Sequence, residues 1–129
     1  MYRWTSHTGE EQLEIEAPTP AAVLTEAVDA FGRAIELEPG GEPARHEVRL
    51  SGRDPATLLV ELLQELVFLA DTEGFVPDGA ELVLADGRLE GTLTGRRTQV
   101  RDLVKAATYG GLRFERSGGG WRARVVLDV

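Results

Sequence analysis

The chain contains no cysteine among its 129 residues. That excludes a disulfide framework, a thiolate metal site and a cysteine nucleophile. It also has no apolar run approaching the ~20 residues a membrane span needs. The first residues, MYRWTSHTGEEQ, have no apolar stretch of signal-peptide type. The expectation is a cytoplasmic protein with no membrane association. Positive charge is in deficit: 14 Lys and Arg against 22 Asp and Glu leave a net −8. So acidic a chain should not seek phosphate backbones on its own, and no direct nucleic-acid binding is expected. It could attract cations or a basic patch on a partner.

What the chain does have is 42% hydrophobic content, enough for one domain over residues 1–129 with a moderate core. Gln12 to Ala17 alternates, with Leu13, Ile15 and Ala17 on one face, as in a half-buried strand. In PTPAAVLTEAVDAFGRAIEL, Thr19 is placed to cap a helix and Pro20 to open it. Leu24, Ala27, Val28, Phe31 and Ile35 form its apolar stripe, and the helix should stop before Pro39-Gly40-Gly41. His46 to Ser51 alternates again.

DPATLLVELLQELVFLADTEGF repeats the cap-plus-proline start with Asp54 and Pro55. Its stripe (Leu58, Leu59, Leu62, Leu63, Leu66, Val67, Leu69, Ala70) is broad enough for a central core helix, with Gly74 as the stop. ELVLA-DG-RLEGTL reads as a hairpin turning at Asp86-Gly87. Residues 98–104 are ambiguous between helix and strand. LRFER and WRARVVLDV, joined by Ser117-Gly118-Gly119-Gly120, make another hairpin. Strands and two helices in this order argue for an α+β layer fold, two main helices packed on a largely antiparallel sheet.

Most catalytic patterns are missing. Ser6 and His7 are neighbours, and strand neighbours point to opposite faces. There is no GxSxG elbow, and His7 and His46 form no HExxH pair. Gly87, Gly91 and Gly95 fall in the hairpin pattern, where they suit bends better than a phosphate cradle. Arg96, Arg97 and Arg101 read as a solvated face, because a nucleic-acid patch wants more aromatic company.

The carboxylates remain. Asp128 interrupts the apolar run RVVLDV and shares a strand face with Arg122 and Arg124, so a same-face ion pair is one reading of it. Asp54 reads equally well as a helix cap, and Glu10 and Glu11 as loop charges. The other reading is that acids from these distant segments converge on a hard cation such as Ca²⁺ or Mg²⁺, which takes oxygen ligands. Periodicity alone leaves both open.

The order of motifs resembles the archease family over essentially the whole chain. HTGEEQLEIEA is similar to that family's HTAD-type strand opening. DPATLLVELLQELVFLADTEGF resembles its long helix, VKAATY its IKAVTYH stretch, and WRARVVLDV its C-terminal strand. The resemblance implies a two-layer archease-like fold. It further implies a non-enzymatic accessory protein, a monomer or weak oligomer, serving an RtcB-type RNA ligase in tRNA splicing or RNA repair. Such a protein promotes guanylylation of the ligase and its multiple turnover. It also implies a divalent metal (Ca²⁺, or Mg²⁺ or Mn²⁺) held at Glu10, Asp54 and Asp128. Glu10 stands where the family has aspartate, so Glu11 could share its duty, and Gly110 stands where the family has histidine. The competing expectations are a stand-alone metal-dependent hydrolase and a metal-free chaperone or interaction module.

Overall fold

A computed structural model of the chain describes residues 1–37, 40–101 and 106–128, leaving out the side chains of His7, Glu36, Leu37 and Arg101. Nine strands and two helices are defined among these residues. They run β1 (Tyr2–His7), β2 (Glu10–Ala17), α1 (Pro20–Ala34), β3 (Glu36–Leu37), β4 (Glu42–Ser51) and α2 (Pro55–Glu73). After these come β5 (Phe75–Ala85), β6 (Arg88–Arg97), β7 (Val100–Arg101), β8 (Ala106–Ser117) and β9 (Gly120–Asp128).

Every strand pairing is antiparallel. The strands divide into a four-stranded sheet, β1-β2-β9-β8, a three-stranded sheet, β4-β6-β5, and a short β3-β7 ladder. The expected α+β architecture of two helices on antiparallel strands is therefore present, with the sheet split in two. Alternation along β2 and β9 buries Leu13, Ile15, Ala123, Val125 and Leu127 on the inner face. The intervening residues stay on the outer face, as the period of two requires.

Both helices start as the sequence indicates. The Thr19 hydroxyl accepts a hydrogen bond from the Ala22 N–H at 3.1 Å, and an Asp54 oxygen accepts from the Thr57 N–H at 2.8 Å. Each cap satisfies an N–H that the first helical turn leaves without a partner. All eight stripe residues of α2 are buried, and Val60 with them. Only a narrow strip including Glu61, Gln64 and Phe68 remains exposed, so α2 is the central helix that its broad stripe predicts. Full burial of one such leucine stabilises by roughly 1.5–3 kcal/mol. Gly74 ends the helix in the left-handed region at φ 66°, and its N–H returns to the Ala70 carbonyl.

Two boundaries differ from the sequence reading, and part of the ambiguous stretch is a strand. Helix α1 ends at Ala34, because Ile35 is already extended and Glu36–Leu37 pairs with Val100–Arg101. Within the ambiguous stretch, Val100–Arg101 is that partner strand, and residues 102–104 lie outside the described residues, as do Pro39, Lys105 and Val129. Strand β8 begins at Ala106, well ahead of Leu112. The four residues 109–112 bulge out of register between Thr108 and Arg113, with Gly111 at φ 74°.

The spaced glycines of β6 are packing positions. A Cβ on Gly91 would lie 1.9 Å from the Glu81 carbonyl oxygen, and one on Gly95 2.1 Å from that of Val76. On the neighbouring β4, His46 packs edge-on against Phe75 at 4.6 Å between ring centres.

Candidate metal centre

The register of β2 and β9 sets Glu10 directly opposite Asp128, and β8 sets Ala106 on the other side of Asp128. Glu10, Gln12, Glu14 and Glu16 share the outer face of the sheet with Asp128, Val126, Arg124 and Arg122. Two of the three expected ligands, 118 positions apart in the chain, are thus cross-strand neighbours. Both residues are exposed. Glu11 falls on the opposite face of β2, and both its carboxylate oxygens accept from the Ser6 hydroxyl at 2.9 Å. It therefore does not share a site with Glu10.

The ion-pair reading of Asp128 is not realised among the described residues. Arg122 donates to Glu16 twice, from Nη2 at 2.7 Å and Nε at 3.0 Å, and Arg124 Nε donates to the Gly111 carbonyl at 3.1 Å. Two like charges facing each other across a ladder oppose folding by a few tenths to about 1 kcal/mol. A cation between them would turn that repulsion into attraction.

Asp54 sits elsewhere, at the N-terminus of α2. Its Oδ1 is committed to the Thr57 N–H, and its Oδ2 lies 3.9 Å from Arg53 Nε. The backbone bond from Thr57 is the main reason its pKa is held below the ordinary value of 3.8. Nearby, the Tyr109 hydroxyl donates to Glu61 at 2.9 Å, and that carboxylate raises the phenol pKa. Among the described residues, no three His, Asp or Glu side chains group closely enough to hold a metal ion. The structure thus brings Glu10 and Asp128 together and gives Asp54 a capping role.

The donor chemistry at Glu10 and Asp128 fits a hard cation. Carboxylates are the preferred ligands of Ca²⁺ and Mg²⁺, and about 6–8 oxygens around Ca²⁺ leave most positions to water or a partner.

The comparisons with known proteins agree with this architecture. The model of the archease protein family matches residues 2–129. The chain belongs to the archease family. An archease of Archaeoglobus fulgidus is 30% identical over 142 residues, covering 99% of this chain and 98% of its own. The solution structure of Methanobacterium thermoautotrophicum protein 1598 superposes with a TM-score of 0.77 at 24% identity, covering 99% and 98% of the two chains. The crystal structure of an archease, possible chaperone, from Thermotoga maritima gives 0.71 at 21% identity, covering 100% and 98%. These two structures share the archease fold of this chain. Among its described residues no helix is long and apolar enough to cross a membrane.

Sequence reading missed the bulge in β8 and the pairing of Arg113 with Arg124 beside it. The adjacent Gly110-Gly111 within a strand pattern is the signal that marks such a bulge.

Proposed function

We propose that this archease is a non-enzymatic accessory protein that holds a divalent cation at Glu10 and Asp128. In that state it activates an RtcB-type RNA ligase in tRNA splicing or RNA repair, promoting the ligase's guanylylation and repeated turnover. The observation that carries the reading is the Glu10–Asp128 register, two exposed carboxylates in direct opposition. The apolar side of β9, anchored by Val125 and Leu127, fixes the strand that presents Asp128. A ligand on a rigid strand holds its position better than one on a loose tail. Glutamate at position 10 keeps the charge and reaches one methylene further than the family's aspartate.

Asp54 is retained as the third acidic position on the family resemblance, with only its Oδ2 left to offer. The net charge of −8 suits docking against a basic, nucleotide- or RNA-binding face of a ligase, because complementary charge speeds encounter and orients it.

Cation titration tests the metal half of the proposal. Added Ca²⁺, Mg²⁺ or Mn²⁺ should raise the melting temperature of the wild-type protein, because a ligand that binds only the folded state stabilises it. Glu10→Gln and Asp128→Asn should abolish that rise. A rise that persists in both variants would place the cation elsewhere.

A further inference from the structure

The outer face of the four-stranded sheet carries a second feature, at a distance from the acidic pair. Arg3, Glu14, Arg124 and Arg113 stand in one row across β1, β2, β9 and β8. They line a trough of about 450 Å³ on that face. Its acids are largely engaged: Glu14 pairs with Arg3, and Glu16 with Arg122. Arg113 and Arg124 are left directly opposite each other. Arg113 is exposed and has no ion pair or hydrogen bond among the described residues, while Arg124 donates to the Gly111 carbonyl and faces Glu14, which Arg3 already engages, across the β2–β9 ladder. Facing like charges in a ladder are unfavourable, and two arginines brought to one side of a trough suit an oxyanion.

We propose that Arg113 and Arg124 seat a carboxylate from an acidic, extended segment of a partner protein. Three observations favour a peptide over a nucleic acid. The chain's −8 charge repels a long polyanion more than a short segment with few acids, because each further charge adds to the repulsion. Glu14, Glu16 and Glu115 are interleaved with the arginines, which suits a segment of mixed sequence and opposes a continuous phosphate backbone. Among the described residues Tyr2 is the one aromatic side chain lining the trough, fewer than the successive platforms on which a single strand stacks its bases. The adjacent bulge at residues 109–112 also leaves backbone groups besides the Gly111 carbonyl, which Arg124 occupies, unpaired with β9, and an extended peptide can use them. This inference stands apart from the cation and ligase reading.

The test is binding of a fluorescent six-residue peptide alternating glutamate and serine to the full chain at about 0.15 M salt, with an oligouridylate of equal length as the comparison. Arg113→Gln and Arg124→Gln should each weaken peptide binding by about tenfold, the scale of one charge-assisted contact. Arg88→Gln, an exposed arginine on β6, should leave it unchanged. The melting temperature of Arg113→Gln should be unchanged or higher, because a repulsion is removed. An equal loss in Arg88→Gln, a lowered melting temperature in Arg113→Gln, or no loss in the Arg113 and Arg124 variants would overturn the proposal. So would tighter binding of the oligouridylate through the same arginines. Self-association of the chain that disappears in Arg113→Gln would overturn it in favour of a second copy as the occupant.

Discussion

Glu10 on β2 and Asp128 on β9 are antiparallel cross-strand partners on the exposed side of the sheet. The buried alternation of Leu13, Ile15, Val125 and Leu127 fixes this. A slip of one residue would turn every core side chain outward, so the apolar face also sets where the acids meet. Without a cation the pair is a local fault. Asp128→Asn should therefore leave the metal-free protein as stable as wild type, or more stable by up to about 1 kcal/mol. Urea denaturation in the presence of a chelator measures this.

Asp54 has two separable roles, and its two simplest variants separate them. Asparagine caps a helix about as well as aspartate, while alanine does not. Asp54→Ala should cost about 1 kcal/mol of stability, and Asp54→Asn only a few tenths. If ligase stimulation falls equally in both, the charge matters beyond the cap. If it falls only in the alanine variant, Asp54 acts through the stability of α2 alone.

Acid should weaken the fold through groups whose pKa is lowered in the native state. Asp54 is held down by the Thr57 N–H and Glu14 by its hydrogen bond to Arg3. A depressed carboxyl pKa contributes stability above the unfolded value, and that contribution disappears as pH falls through the lower folded value. The ordinary values are 3.8 for Asp54 and 4.5 for Glu14, so the loss should begin below them and leave neutral pH untouched. Both groups are at the surface, so the effect is small and screened by salt. Denaturation midpoints across the acid range should show a shallower decline in Asp54→Asn than in wild type.

Gly32 offers a test of the packing between α1 and β5. In a helix interior, alanine is favoured over glycine by up to about 1 kcal/mol. Here a Cβ would lie 2.1 Å from the Pro77 carbonyl oxygen. A backbone atom cannot yield as a side chain can, so overpacking should win and Gly32→Ala should lose about 1–3 kcal/mol. A stabilised variant in urea denaturation would mean that the two elements pack less closely.

What the sequence made legible follows from the range of each signal. The α2 stripe, both proline-opened helix starts and the Asp86-Gly87 turn are local, and the chain alone revealed them. The end of α1 is set by the distant pairing of Glu36–Leu37 with Val100–Arg101, which no local pattern announces. The division into two sheets is likewise a property of strand order. Glu10, Asp54 and Asp128 were nameable because of the family resemblance. That β2 and β9 would bring Glu10 to Asp128 and leave Glu11 on the other face depends on register, and so does the Arg113–Arg124 pair. Asp128 looked in the sequence like a partner for Arg122 or Arg124. Both arginines instead turn to Glu16 and Gly111, leaving the carboxylate to Glu10.

The central claim is that this exposed acidic pair serves a ligase. Its most direct test is multiple-turnover RNA ligation by the RtcB-type ligase of the same organism, with divalent cation and GTP. The ligase would be measured alone, with wild-type archease and with the Asp128→Asn variant. The account predicts stimulated turnover with wild type and none with the variant, although the variant is folded. Equal stimulation by both proteins, or by neither, would contradict it.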